Sequence, residues 1–453
     1  MKLYATLQST RLPPRPWLGA VGLCGWLLST EAFAQSSVQC CKSLLPEVPP
    51  ATAYGATIYR DDDARGEYQP YQPILFDATL PAEKLSNKIS SEELQQGAYS
   101  AGLIPDLQEL GAAHFLTGRY RDAIAAYARA IHLLRVNEGL NTITQAGLVE
   151  QVIEAHLELG DTIAADKQQS YLFRIRQRAY APGSAEMLVA TQQYADWQRA
   201  AYIGELDKYK YPRIVDLIDL YDEGVDDIAS EQGELSRSIL PYLQGKLKVH
   251  YLLSNYDGER EDGMRVEMNQ NDDINLPNLK KIRFKRFHEG NYRYGKKTIQ
   301  KMRDILRNDA DTSSQELAAV QLALADWYQW HHRYAEALQA YREAWNMMSE
   351  DLADQTFLET SFAEPLELPE EVVFHPGRMA VRTNNVAQVT LRFDVNRLGE
   401  AKDIQVLAPL TEENQPAVTR ARKYLRDMRF RPRMIDGEAV EAVALERSYT
   451  IHY

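Results

Sequence analysis

Cysteine is almost missing: three residues in 453, at positions 24, 40 and 41. Adjacent Cys40 and Cys41 cannot bridge each other without strain, so a disulfide framework is excluded and thiolates offer no zinc site. Two incidental thiols in a tail, or an intermolecular bridge, are the readings left. Neither Cys24 nor Cys40 reads as a lipid-attachment site, because Leu23 and Gln39 precede them where a small residue is needed. Also lacking is any apolar run of ~18 residues, the length that spans a bilayer. A basic excess is lacking too: the net charge is −13, which excludes general attraction to nucleic acid. Catalytic signatures are lacking as well. No G-x-S-x-G, H-E-x-x-H, phosphate-binding loop or dinucleotide fingerprint occurs, so no enzyme, cofactor or metal is expected. His331-His332 follows Trp327 and Trp330 at an expected helix turn and reads as a polar corner beside an aromatic core. The stretch from 180 to 275 is the one place left for a hidden active site.

What is present begins with an export signal. Lys2, Arg11 and Arg15 give a positive start, Trp17 to Leu28 is apolar, and Ala32-Phe33-Ala34 supplies small residues at the cleavage-determining positions. This predicts a secretory signal over 1–34 with a cut before Gln35. An uncleaved inner-membrane anchor is the alternative, and only then would the chain contact a membrane. Residues 35–90 carry Pro46, Pro49, Pro50, Pro70, Pro73 and Pro81 and an acidic Asp61-Asp62-Asp63 run. No helical period survives there, which predicts an extended leader, draped over a helical domain through Tyr68, Tyr71 and Phe76 or flexible throughout.

From 91 to 350 the period is helical. In Leu107 to Ala130, Leu107, Leu110, Gly111 and His114 share one helix face and Tyr120, Ala123, Tyr127 and Ala130 another, with Gly118 between. Small Gly111 and Ala123 let the two helices approach, and Gly118 suits the left-handed turn. The five-residue step from Gly118 to Ala123 recurs as Gly160/Ala165, Gly290/Gly295 and His332/Ala337. Apolar Leu110, Val152, Ile282 and Leu324 stand eight residues before each copy. This pattern resembles the tetratricopeptide repeat, a helix-turn-helix unit that buries its apolar face only by stacking on copies of itself. Between the second and third copies, Ala185–Tyr202, Arg213–Tyr221 and Ser236–Tyr251 read as helices that are worn hairpins, with Pro241 in a first turn or at a kink. Asp257 to Asp273 reads as an acid-rich loop without the alternating ligand spacing of an EF-hand.

Charge is uneven. Lys280, Lys281, Arg283, Arg286, Arg293 and Lys297 belong to a basic block, and Asp216 to Glu234 is acidic. Two complementary solvated faces, or a basic groove for an acidic peptide or anionic headgroup, are both open. Residues 351–373, with Pro365, Pro369 and many acids, read as a linker.

After the linker the period switches to alternation. Val389, Leu391, Phe393 and Val395 alternate with polar residues, Asn396 to Gly399 turns, and Ile404 and Val406 mark a second strand. Asn414 to Met428 is a helix with Ala417, Ala421, Tyr424, Leu425 and Met428 inside. Asp436-Gly437 is a turn, and Val443, Leu445, Arg447, Tyr449, Ile451 and Tyr453 define a last strand. The VTLRFDVNRLGEAKDIQV hairpin, the MRFRP run (Met428 to Pro432) and the Asp-Gly turn resemble the C-terminal domain of the TonB family over about 374–453. A glycine usual before the first strand is Asn385, and the usual Tyr-Pro opening is His375-Pro376. The expected fold is therefore an all-α repeat array followed by a small ββαβ module.

The resemblance implies work in the Gram-negative envelope and recognition by strand addition, with Val443 to Tyr453 as the candidate edge. Together the two modules predict a periplasmic scaffold for protein or peptide partners, an outer-membrane receptor segment among them. If the N-terminal segment stays as an anchor, the alternative is a TonB-like energy transducer or an accessory protein in outer-membrane transport.

Overall fold

The computed structural model describes residues 58–60, 73, 75–256, 276–348, 351–370, 373–377, 379, 385–407, 411 and 414–453. The export signal, Cys40, Cys41, Tyr68, Tyr71 and the acid-rich loop at 257–273 lie outside the described residues.

Among the described residues, helices begin at Ala82, inside the stretch expected to be extended. They run as α1 (Ala82–Gln96), α2 (Leu103–Leu116), α3 (Tyr120–Asn137), α4 (Ala146–Glu158) and α5 (Thr162–Ala179). Gly118 and Gly160 turn the α2/α3 and α4/α5 hairpins with φ of 73° and 72°. That left-handed conformation is cheap only without a Cβ. At Gly111 a Cβ would stand 2.3 Å from the Tyr127 ring. The glycine is the hole and the tyrosine the knob, and Leu107, Ala123, Ala130, Val152 and Ala165 continue the same buried cluster.

Three further helices fill the middle: α6 (Ala185–Ile203), α7 (Tyr211–Gln232) and α8 (Leu240–Ser254). Pro241 sits in the first turn of α8, where its missing N–H costs nothing. A Cβ on Gly224 would meet the Tyr242 ring at 2.3 Å, and one on Gly245 the Tyr221 ring at 2.3 Å. This reciprocal pair repeats the logic of Gly111 and Tyr127, so α7 and α8 form another close hairpin.

The array ends with α9 (Leu276–Glu289), α10 (Asn291–Asn308), α11 (Ser314–Trp330) and α12 (Tyr334–Trp345). Ser313 and Glu316 start α11 with a reciprocal capping box. Gly295 leaves room for Trp327, whose ring a Cβ would meet at 2.3 Å. His332 holds the left-handed turn position, with φ of 59°, that Gly118 and Gly160 hold earlier. Gly290 departs from the pattern, with φ of −94° and α10 starting at once after it.

The expected linker is folded instead. Leu352–Phe362 forms α13, and Leu366–Glu367 forms β2, which pairs antiparallel with β5 (Phe430–Arg431). Leu358 and Phe362, one helical turn apart, are buried, with Phe362 against Tyr341 and Trp345. The acids that suggested a solvated tether are used inside the fold: Asp354 accepts from Gln315, and Glu367 is 1% exposed.

The C-terminal module is a four-stranded antiparallel sheet in the order β1-β8-β3-β4. Its strands are β1 (Ile58–Arg60), β3 (Val386–Val395), β4 (Ala401–Val406) and β8 (Ala442–His452). Helix α14 (Gln415–Asp427) covers it with Ala417, Ala421, Tyr424 and Leu425, all buried as expected. Strands β6 (Arg433–Ile435) and β7 (Glu438–Val440) join at Asp436-Gly437, both with positive φ, the requirement of a tight I′ hairpin. The expected order of strand, strand, helix and strand holds for β3, β4, α14 and β8. The short strands β5, β6 and β7 fall between α14 and β8, and the addition to the main sheet is β1, which comes from the leader.

Candidate partner-binding surfaces

The sheet does not hang from a tether; it is bolted to the end of the helical array. Arg431 is fully buried and grips Asp326 of α11 with two parallel bonds, Nε to Oδ1 at 3.1 Å and Nη2 to Oδ2 at 2.7 Å. Its guanidinium also donates to Glu370 and to the Ser361 carbonyl. Tyr341 of α12 donates to Asp326 at 2.8 Å. Burial opposes the charge on Arg431, but Asp326 and Glu370 outweigh it and push its pKa up. Gln329 donates to the Leu398 carbonyl at 2.5 Å, and Tyr334 to Glu400 at 2.8 Å. Gly399 passes so close that a Cβ would stand 2.0 Å from the Phe430 carbonyl oxygen. The MRFRP run thus serves the seam: Phe430 packs on Phe393 inside the module, and Arg431 reaches out of it.

The expectation of a free edge at Val443 to Tyr453 is corrected. β8 lies between β3 and β1, and the leader covers it with Ile58 opposite Ile451, Tyr59 opposite Thr450 and Arg60 opposite Tyr449. Ile58 and Tyr59 are buried, so the leader completes the core as well as the ladder. Of the six residues, Tyr449 and Ile451 are fully buried, and Arg447 is buried while donating to Glu367 at 2.9 Å and to the Pro365 carbonyl. Tyr449 also donates to Glu367, at 2.6 Å, as does Tyr424 at 2.9 Å, while Arg60 stands 4.0 Å away. Burial, with the Glu367 charge beside it, raises the Tyr449 pKa. Leu445 and Tyr453 are half-buried, and Val443 alone is 67% exposed. The side chains expected to face a guest are mostly core.

A second stretch of the leader crosses the helices. Phe76 donates its N–H to Gln151 Oε1 of α4 at 3.3 Å, and its ring sits over Gly147, where a Cβ would be 3.4 Å away, and beside Tyr127. Thr79 donates to Glu109 of α2 from its N–H at 2.8 Å and its hydroxyl at 2.5 Å, and Leu80 adds its N–H at 3.1 Å. These bonds, the Thr79 hydroxyl first, lower the Glu109 pKa. The expected draping is found at Phe76. Neither Glu109 nor Gln151 carries a signal in the sequence, since a Glu and a Gln on helices are ordinary.

The basic groove is also corrected in part. Lys280 and Arg283 of α9 are spent on α7: Lys280 pairs with Asp216, and Arg283 holds Asp219 with two bonds, Nη1 to Oδ2 at 2.7 Å. The acidic and basic blocks meet each other, which places one helix on the next. Arg286, Arg293 and Lys297 are exposed and Lys281 is half-buried, with the Arg293 guanidinium over its neighbour Tyr294.

A cavity of about 80 Å³ lies among α4, α5 and α6 beside Pro73 and Gly377. Another, about 440 Å³, opens at the seam and is lined by Asn291, Tyr292, Trp330, His331, His332 and Arg429 among others. His331 packs edge-on against Trp327 at 4.4 Å, and burial lowers its pKa to about 4. Among the described residues no group of three or more His, Cys, Asp or Glu is arranged to hold a metal, and no helix is long and apolar enough to cross a membrane.

No protein-family model and no curated protein matches the sequence. Among solved structures, BtubC (BKLC) from P. vanneervenii is similar at 11% identity and a TM-score of 0.30, over 59% of this chain and 87% of that one. A protein from Podosopora anserina described as kinesin light chain with nearly identical TPR-like repeats is similar at 11% identity and a TM-score of 0.31, over 55% of this chain and 96% of that one. The repeat architecture itself is carried by the stacked hairpins and their glycine–aromatic contacts.

Proposed function

We propose that this chain is a scaffold for protein–protein contacts in the bacterial cell envelope. Its helical array holds one partner, and its sheet module engages an extended segment of another. One observation carries the reading: both modules already hold an extended stretch of polypeptide, the chain's own leader, by backbone pairing at β8 and by backbone-to-side-chain bonds at Glu109 and Gln151. Surfaces that bind extended chain through its main-chain groups suit peptide recognition and need no catalytic machinery. The export-type N-terminus and the resemblance of residues 374–453 to the TonB C-terminal domain support a periplasmic location.

Affinity purification of the full-length protein from envelope extract, beside the variant Glu109→Lys on the helical face, tests this. The reading expects at least one protein to be captured by the parent chain and selectively lost from the variant. Identical capture by both, or none by either, counts against it. N-terminal sequencing of the mature chain separates the two locations. A start at Gln35 supports a free periplasmic scaffold, and a retained segment supports the anchored, transducer-like form.

A further inference from the structure

We infer that the cavity of about 440 Å³ at the seam is a binding site for a neutral saccharide of one or two pyranose rings. The site is separate from the leader's contacts on β8, α2 and α4, and it does not depend on the scaffold reading.

Four stretches of chain wall the cavity: the C-terminal end of α8, the corner between α9 and α10, the C-terminal end of α11, and the residues at the end of α14. Its volume lies in the range of small-ligand sites. Tyr292 and Trp330 line it, both half-buried. Tyr251 props Trp330 edge-on, with ring centres 5.3 Å apart, and the Arg333 guanidinium lies 4.4 Å over the Tyr292 ring centre. Both rings are therefore positioned before anything binds. Among the described residues, the Trp330 indole N–H and the Tyr292 hydroxyl have no hydrogen-bond partner, and neither atom is buried. They are accessible groups with nothing yet to bond.

Arginine and lysine offset the acids of the rim. Arg429 stands against Asp427, and Lys285 lies 3.7 Å from Glu289. His331 and His332 add no charge at neutral pH, because burial lowers both pKa values, that of His331 to about 4. An anion meets Glu289 and Asp427 and a cation meets Arg429, so neither sign is favoured. A wholly apolar molecule would strip these groups of water and give nothing back. Hydroxyls suit the mixture, since each can donate to a carboxylate and accept from an indole N–H or a guanidinium. A pyranose carries hydroxyls around its edge, and its C–H face supplies the apolar surface that the two rings can cover. Asp427 and Arg429 belong to the sheet module, and Tyr292 and Trp330 to the helices. A bound saccharide therefore bridges the same seam that Arg431 and Asp326 close.

Calorimetric titration of the full-length chain with cellobiose, maltose and N,N′-diacetylchitobiose tests this. Sodium benzoate serves as an anionic aromatic and sorbitol as an open-chain polyol. At least one disaccharide should bind saturably, with an affinity unchanged between low and high salt. Trp330→Ala should weaken that binding about tenfold or more, and Tyr292→Phe, which removes only a hydroxyl, about threefold. Circular dichroism melting checks that each variant keeps its main transition. Tyr292→Phe keeps the test decisive if Trp330→Ala does not fold. Three results overturn the inference: no saturable binding of any disaccharide below about 20 mM, unchanged affinity in the folded variants, or tighter binding of benzoate or sorbitol.

Discussion

Arg431 and Asp326, 105 residues apart in sequence, face each other across the seam between sheet and helices as a buried, doubly bonded ion pair. The pair turns two modules into one body. The sheet is therefore held at a set position relative to the helices.

Breaking that pair from one side leaves the other charge buried. Arg431→Met strands Asp326 and should cost about 3–5 kcal/mol in urea denaturation. Asp326→Leu combined with Arg431→Met should recover a large part of that loss, because no lone buried charge remains and Glu370, the other partner, is half exposed. If the double variant is as unstable as the single one, the pair does not act as a unit.

The glycine–aromatic contacts make a second prediction. Gly111→Ala drives a methyl into the Tyr127 ring, since the ideal Cβ position is 2.3 Å from it. Overpacking of this kind costs about 1–3 kcal/mol. The same cost is expected for Gly245→Ala against Tyr221, which would certify α7 and α8 as a true repeat hairpin. A neutral Gly245→Ala would contradict that.

Acid should loosen the array. His250 is fully enclosed beside Asn291, with Nδ1 and Oδ1 2.8 Å apart, and burial lowers its pKa to about 4 from an ordinary 6.5. Above 6.5 both folded and unfolded chains carry it neutral. Between 6.5 and 4 the unfolded chain takes up the proton first, so stability falls as pH falls through this window. The expected loss is about 2 kcal/mol by pH 5 from this group. His250→Gln should flatten that part of the profile measured by urea denaturation at pH 7.5, 6 and 5.

The α7–α9 contact should be salt-sensitive and small. Arg283→Glu sets two carboxylates against each other and should cost about 1 kcal/mol or less, with Asp219→Arg restoring it in the double variant. Denaturation at low and high ionic strength checks both the size and the sign.

Much of this architecture is legible in the residues. The Gly118/Ala123 spacing marks the hairpins because small residues are needed wherever helices touch. Alternation marks β3 and β8 because one face of each is buried. What is not legible has physical reasons. Ile58-Tyr59-Arg60 is too short to show a period, and nothing local announces that it will lie beside Ile451. Strand order is a long-range property, so β8 reads as an edge until the leader is seen against it. The α7/α8 hairpin lacks the five-residue step, and its reciprocal Gly224–Tyr242 and Gly245–Tyr221 pairs appear only once the helices meet. Residues 351–373 read as a tether because acids dominate, yet Glu367 and Asp354 find partners inside the fold.

In-cell photocrosslinking tests the central claim most directly. A photoreactive side chain at Glu109, and separately at the exposed Val443, reports what lies against each surface in living cells. The scaffold account predicts covalent adducts to other polypeptide chains at both positions, different for the two. Crosslinks confined to the chain itself at both positions would contradict it.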